Sequence, residues 1–275
     1  MILNKYTCNI SKLPNFINKL KNQNLLPIID YINENENREL HNFIEIKDKI
    51  YQYDNNYFAL KMSSLNINYN KSYAMMLTNQ IIDLAIYKKS KILIDAEQHI
   101  IQNKIDFISD ECMKKYNKNE VNVYKTYQMY KKDSLLKFKN DLMKERGYYI
   151  GFKLVRGAYL NEDKKKGVLC DSYEETNNNY NDAILHFMKD SKINDKLMCA
   201  THNENSINYA KSFINEKNKD KIEFAQLMGM SDELSNNLAK ENYKVYKYLP
   251  YGNFYESIPY LMRRLYENND MIKYL

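Results

Sequence analysis

The sequence predicts an α/β chain folded as a (β/α)8 TIM-like barrel, with one helix ahead of the first strand. Three observations predict it. Short apolar or β-branched runs alternate about eight times with longer, polar, helix-compatible segments. The 275 residues contain only six Gly and four Pro and no linker-like stretch, so the chain reads as a single domain over 1–275. Polar and charged residues also gather at the far ends of the apolar runs, where a barrel of this kind carries its chemistry.

Taken in order, residues 1–22 read as the leading helix and 25–275 as the barrel. The strands are LLPIIDY (25–31), YFALKMSSL (57–65), KILIDAE (91–97), VNVYKTY (121–127), YIGFKLVRG (149–157), KLMCATH (196–202), IEFAQLMG (222–229) and YKVYKYLPYG (243–252). Each intervening segment is mostly long enough for one helix, and Ile258 to Tyr274 forms the closing helix. The strand ends then present Lys61, Asp95 and Glu97, Tyr127 and Gln128, Arg156 and Tyr159, Thr201 and His202, Gln226, and Tyr248.

Composition excludes more than it selects. The net charge of +6 comes from 41 basic and 35 acidic residues mixed along the chain, without the basic face or segment of a nucleic-acid binder. That balance is compatible with loose attraction to an anionic membrane surface. The richness in Asn, Lys and Tyr, with no Trp, reads as codon bias, so any one such residue is weak evidence. Cys8, Cys112, Cys170 and Cys199 form no CxxC pair, which argues against a zinc ribbon and for a reducing compartment. No run approaches the ~20 apolar residues of a membrane span. The N-terminal MILNKYTCNISKL has no long apolar core, so no targeting signal is expected in this numbering.

Four stretches carry chemistry. In LIDAEQH, Asp95, Glu97 and His99 recur at a spacing of two and would share a strand face. With His202 they could ligate a divalent metal, as in a metal-dependent hydrolase or isomerase; a polar strand end, one carboxylate pairing a neighbouring cation, is the plainer account. In ATHNEN, Thr201 and His202 could hydrogen-bond a polar cofactor or merely satisfy loop backbone. In KLVRGAY, Lys153 interrupts an apolar strand and needs an anion or a route to water, while Gly157 permits close backbone approach. In YLMRRLYEN, Arg263 and Arg264 diverge by roughly 100° on a helix, and Glu267 can hold either guanidinium. Such planar forks suit a carboxylate or phosphate; a solvated helix with packed tyrosines is the plain alternative. His41, His99 and His186 otherwise read as ordinary surface or helix histidines. There is no GxGxxG and no GxxxxGK[ST], so a nucleotide cofactor would be held without a Rossmann or P-loop motif.

Read together, LLPIIDY, ALKMSSL, LIDAEQ, TYQMY, KLVRGAY, ATHNE, FAQLMGM, YLPYG and YLMRRLYEN resemble the proline dehydrogenase family, flavoenzymes of proline catabolism. The resemblance runs from about Leu25 to Asn268. It implies a distorted (β/α)8 barrel carrying FAD, with no metal. It gives Arg263, Arg264 and Lys61 the carboxylate of L-proline, and Asp95 a place in the active site near flavin and substrate. Lys153 would lie at the reactive flavin edge, and Tyr159, Leu154 and Tyr248 would wall the pyrrolidine ring. Ala96, Gln128, Arg156, Gly157, Ala158, Thr201, His202, Gln226 and Glu267 would serve the cofactor site, Glu267 by ordering the arginine helix. Many bacterial members carry arginine where this chain has Lys153, so hydrogen bonding at the flavin edge differs here.

The implied reaction is hydride transfer from proline C5 to flavin N5, giving Δ1-pyrroline-5-carboxylate, with electrons passed to a quinone. The implied setting is the matrix side of the mitochondrial inner membrane in a eukaryote, or otherwise the cytoplasm with peripheral membrane association. A hydroxyproline dehydrogenase on the same scaffold is the related alternative, against which Tyr248 argues: the hydroxyproline-specific relatives have a smaller residue there.

Overall fold

The computed structural model describes residues 6–33 and 38–253. Its eight strands follow one another in chain order around a closed barrel. They are β1 (Leu26–Tyr31), β2 (Tyr57–Leu60), β3 (Lys91–Ile94), β4 (Val123–Gln128), β5 (Gly151–Val155), β6 (Lys196–Ala200), β7 (Ile222–Leu227) and β8 (Val245–Tyr251). Each predicted strand is present, and nearly every strand residue is buried, as expected of parallel strands covered on both faces. Around them lie α1 (Leu13–Asn22), α2 (Glu39–Gln52), α3 (Lys71–Tyr87), α4 (His99–Tyr116), α5 (Ser134–Met143), α6 (Leu160–Lys165), α7 (Tyr173–Asp190), α8 (Glu204–Ser212) and α9 (Asp232–Lys240). The closing helix expected at 258–274 lies outside the described residues.

The chain divides into two compact units, one built from residues up to Asp95 and from Ala225 onward, the other Ala96–Phe224. In the first, β1 pairs in parallel with both β8 and β2, and β2 with β3. Asp30 thereby stands opposite Ala59 on one side and Pro250 on the other. In the second, β5 pairs with β4 and β6, setting Lys153 between Thr126 and Met198.

Local sequence explains where several elements begin and end. The single helix expected over 1–22 is corrected: Cys8 makes a parallel bridge to Tyr251, Ile10–Lys12 form a short 3-10 turn, and α1 starts at Leu13. Pro14 is the cause, because proline suits the first turn of a helix and breaks a helix running through it. The strand read over 57–65 ends at Leu60, and Ser63–Leu65 turn as a 3-10 segment instead. There Ser64 Oγ donates to the Lys61 carbonyl at 2.6 Å, a local serine-to-backbone bond that competes with the sheet ladder. The fourth strand starts later than expected because buried Asn117 takes the N–H groups of Asn122 and Val123 on its Oδ1 and donates to the Val123 carbonyl. Helices α3, α7 and α8 start from Asn70, Ser172 and Asn203, each accepting a first-turn N–H.

Candidate active site

The candidate residues that can be described fall into two groups, each within one compact unit. In the first unit the sequence-predicted cation Lys61 follows directly on β2 and is only 5% exposed. It forms a buried salt bridge with Asp30, which sits on β1 at 0% exposure. Two buried opposite charges compensate a desolvation penalty that neither could meet alone. Lys61 is further fixed through its backbone, because Ser64 is bonded to its carbonyl and Asn42 of α2 donates to the Ser64 carbonyl at 3.1 Å. Asp30 was not among the candidates drawn from the sequence: a lone acid inside LLPIIDY has no partner visible along the chain.

Asp95 comes directly after β3, its N–H bonded to the Leu60 carbonyl at 3.0 Å. Its carboxylate Oδ2 accepts the Tyr248 hydroxyl at 2.5 Å. Tyr248 lies within β8, not at its end, and is 7% exposed. The same face of β8 carries Tyr246, whose ring stacks on Tyr57 at 4.5 Å. Gln226, buried near the end of β7, accepts the Ser235 hydroxyl on Oε1 at 2.9 Å, which turns its amide N–H groups the other way. The loop that follows β7 is pinned by Lys247, whose ammonium reaches the Met230 carbonyl at 2.6 Å and Asp232 at 2.7 Å.

In the second unit, Gln128 at the end of β4 braces two loops. Its Nε2 donates to the Glu97 carbonyl at 2.8 Å and its Oε1 accepts the Ala158 N–H at 3.2 Å. Ala96 and Glu97 open the loop leading to α4; Ala96 is half-buried, Glu97 is buried and its N–H donates to Gln102. Lys153 is 4% exposed. Leu154 takes the opposite face, the one on which Phe152 packs against Phe138 of α5. Tyr127 shares that outward face of the sheet and donates to Asp141 at 2.6 Å, so it belongs to the helix layer. Burial beside that carboxylate pushes its phenol well above the ordinary range.

Arg156 follows β5. Its guanidinium donates twice to Asn177 at 2.7 and 3.1 Å, to Ser206 at 3.0 Å and to Thr201 Oγ1, and lies 4.7 Å from the centre of the Tyr180 ring. Of its five N–H donors, one on Nη1 has no partner among the described residues. Thr201 Oγ1 also accepts the Asn203 N–H at 3.0 Å, so this threonine does serve its loop; His202 beside it is half-buried. Gly157 adopts φ +147°, and a Cβ there would stand 2.4 Å from the Tyr130 ring, so no other residue fits. Tyr159 is buried and donates its N–H to the Tyr130 hydroxyl at 3.2 Å.

Two expectations change. Asp95, Glu97 and His99 do not share a strand face, because β3 stops at Ile94 and His99 already opens α4. Among the described residues, no group of three His, Cys, Asp or Glu side chains could hold a metal ion, so the metal-enzyme alternative finds no donor set there. Arg263, Arg264 and Glu267 lie outside the described residues. No helix among the described residues is long and apolar enough to cross a membrane.

Comparison with known proteins places these residues in context. A family model described as proline dehydrogenase matches residues 15–274. The chain is similar to proline dehydrogenase 1, mitochondrial, of Caenorhabditis elegans, at 36% identity over 213 residues, 71% of this chain and 35% of that protein. It is 37% identical over 198 residues to proline dehydrogenase 2, mitochondrial, of Arabidopsis thaliana, covering 66% of this chain and 42% of the relative. It is also 33% identical over 211 residues to hydroxyproline dehydrogenase of Xenopus laevis, covering 71% and 45%. The aligned stretch spans less than half of each of these relatives. Among solved structures, proline utilization A from Bdellovibrio bacteriovorus superposes with a TM-score of 0.86 over 97% of this chain and 32% of its own, at 17% identity, a likeness of fold alone.

Proposed function

The chain belongs to the proline dehydrogenase family, and we propose that it oxidises L-proline to Δ1-pyrroline-5-carboxylate with FAD as cofactor and a quinone as electron acceptor. The observation that carries this reading is the family match over residues 15–274, which takes in every candidate residue.

The residues present suit a flavin dinucleotide by the chemistry of their donors. Lys153, midway along β5, supplies a buried ammonium, and the ends of β5 and β6 supply the Arg156 N–H at Nη1, Thr201 and His202. Cationic and hydroxyl donors of this kind match a diphosphate and the polar edge of an isoalloxazine. In this reading Gln128 holds the loops of Ala96 and Ala158 around the cofactor, Gly157 lets the backbone approach it, and Gln226 is a further cofactor contact. When bound, FAD supplies the hydride acceptor, and the protein supplies orientation and electrostatics.

Substrate binding falls to Lys61, with Arg263 and Arg264. Asp30 keeps the Lys61 ammonium in one place, so that it meets a carboxylate with little further ordering. Asp95 is oriented by Tyr248, whose ring also limits the space for a substituted pyrrolidine. Tyr159 is the second ring wall in this reading; Leu154, expected as another, lies on the helix-packed face of β5 and is not placed to line the ring. Glu267 orders the arginine pair. The proposed setting follows the relatives named mitochondrial, and a membrane quinone is the proposed final electron acceptor.

The test is turnover of the purified, FAD-loaded protein with a soluble quinone analogue. L-Proline is expected to give a product of the mass of Δ1-pyrroline-5-carboxylate. Turnover of trans-4-hydroxyproline in preference to L-proline would move the chain to the hydroxyproline reading. Turnover of neither would contradict the proposal.

A further inference from the structure

Asp163 lies in NEDKKK, a stretch that reads as a solvated charge run, yet it is 1% exposed. It sits in the short helix α6 between β5 and α7 and collects three partners from two other segments. Its Oδ2 accepts the Tyr130 hydroxyl at 2.7 Å and pairs with the Lys131 ammonium at 3.0 Å, and its Oδ1 accepts the His99 N–H at 3.0 Å. The Tyr130 oxygen in turn accepts the Tyr159 N–H, and the Tyr130 ring fills the space that Gly157 leaves by having no Cβ. The backbones are tied as well: Tyr130 N–H to the Arg156 carbonyl at 2.8 Å and Cys170 N–H to the Tyr130 carbonyl at 2.7 Å.

A buried carboxylate is an expensive way to close a loop, since desolvation offsets much of what its partners return. What it provides is a single geometry, because each partner can meet it from one direction only. We propose that Asp163, acting through the Tyr130 phenol, is a positioning residue that fixes the Gly157–Tyr159 segment in its ligand-binding conformation. The inference rests on the proposed function for what that ligand is, namely flavin and proline.

The experiment uses full-length, FAD-loaded protein and the variants Tyr130→Phe and Asp163→Asn, with two readouts. Amide hydrogen exchange over residues 157–163 reads the loop directly, and is expected to quicken in both variants because the Tyr159 N–H loses its acceptor or its acceptor's anchor. Steady-state kinetics with L-proline should show KM raised roughly tenfold with a smaller change in kcat, as expected for mispositioning. Faster exchange with wild-type KM would make the network a packing device only and overturn the proposal. Wild-type exchange in both variants would overturn it as well. Should Asp163→Asn fold poorly, Tyr130→Phe removes a single hydroxyl and decides alone. A wild-type protein inert toward proline would sink the proposed function, while the exchange readout would still decide whether Asp163 holds the loop.

Discussion

The Tyr248 hydroxyl donates to Asp95 Oδ2 at 2.5 Å, joining two residues 153 positions apart on β8 and just after β3. A phenol so placed does two things. It fixes the carboxylate, and in the proposed reading it puts an aromatic ring where a substituent on a bound pyrrolidine would go.

Removing only the hydroxyl separates these roles. A hydrogen bond to a charged acceptor contributes about 1.5–3 kcal/mol, so Tyr248→Phe should lose up to that much in kcat/KM for L-proline while keeping its preference for proline. Tyr248→Ser also opens space, and should shift the kcat/KM ratio toward trans-4-hydroxyproline by roughly 10-fold or more. Kinetics with both substrates check this. An unchanged ratio in Tyr248→Ser would exclude the ring as a selector.

The Asp30–Lys61 pair predicts a double-mutant result. Asp30→Asn removes the negative charge facing a buried ammonium and should cost about 3–5 kcal/mol of stability. Lys61→Met should weaken proline binding. The double variant Asp30→Asn/Lys61→Met should regain stability relative to Asp30→Asn without regaining proline affinity. Urea melts and proline KM values for all three test whether Asp30 serves the fold through Lys61 or substrate directly.

Arg146 and Asp195 supply a contrast far from any candidate role. Their side chains are 3% and 0% exposed and meet at 2.6 Å, and Asp195 also accepts the N–H groups of Ile150 and Lys192. Arg146→Met should lower stability by about 3–5 kcal/mol and leave the proline KM of the folded protein unchanged. A raised KM would show that β5 transmits the damage to the site.

The cysteines fix a pH dependence. Burial pushes the thiols of Cys8, Cys112 and Cys199 up to about 12, against an ordinary 9.0. Folded values above unfolded ones contribute stability that is fully present below pH 9 and is lost as pH rises toward 12. Denaturation midpoints should therefore fall through that window. At neutral pH a thiol reagent should find Cys170, which is half-exposed, and reach the other three only on unfolding.

Much of the fold was legible because barrel strands announce themselves as apolar runs, and LLPIIDY, KLMCATH and IEFAQLMG need no tertiary information to be read. Their ends were less legible. Pro14 moved the start of α1, Ser64 turned the chain after β2, and Asn117 delayed β4, each through local bonds that periodicity does not register. Lys61, Asp95 and Tyr248 could be named from motif resemblance. Asp30 and Asp163 could not, since one looks like a stray acid in a strand and the other like part of a solvated run. In both cases the missing signal is burial, which depends on segments distant in sequence.

The central claim is tested most directly by the absorption spectrum of the purified protein under anaerobic conditions, before and after L-proline. The account predicts a bound-flavin spectrum that bleaches with L-proline, and that stays oxidised with a carboxylate-free analogue such as pyrrolidine. A flavin spectrum indifferent to L-proline, or a protein that takes up no FAD, would contradict it.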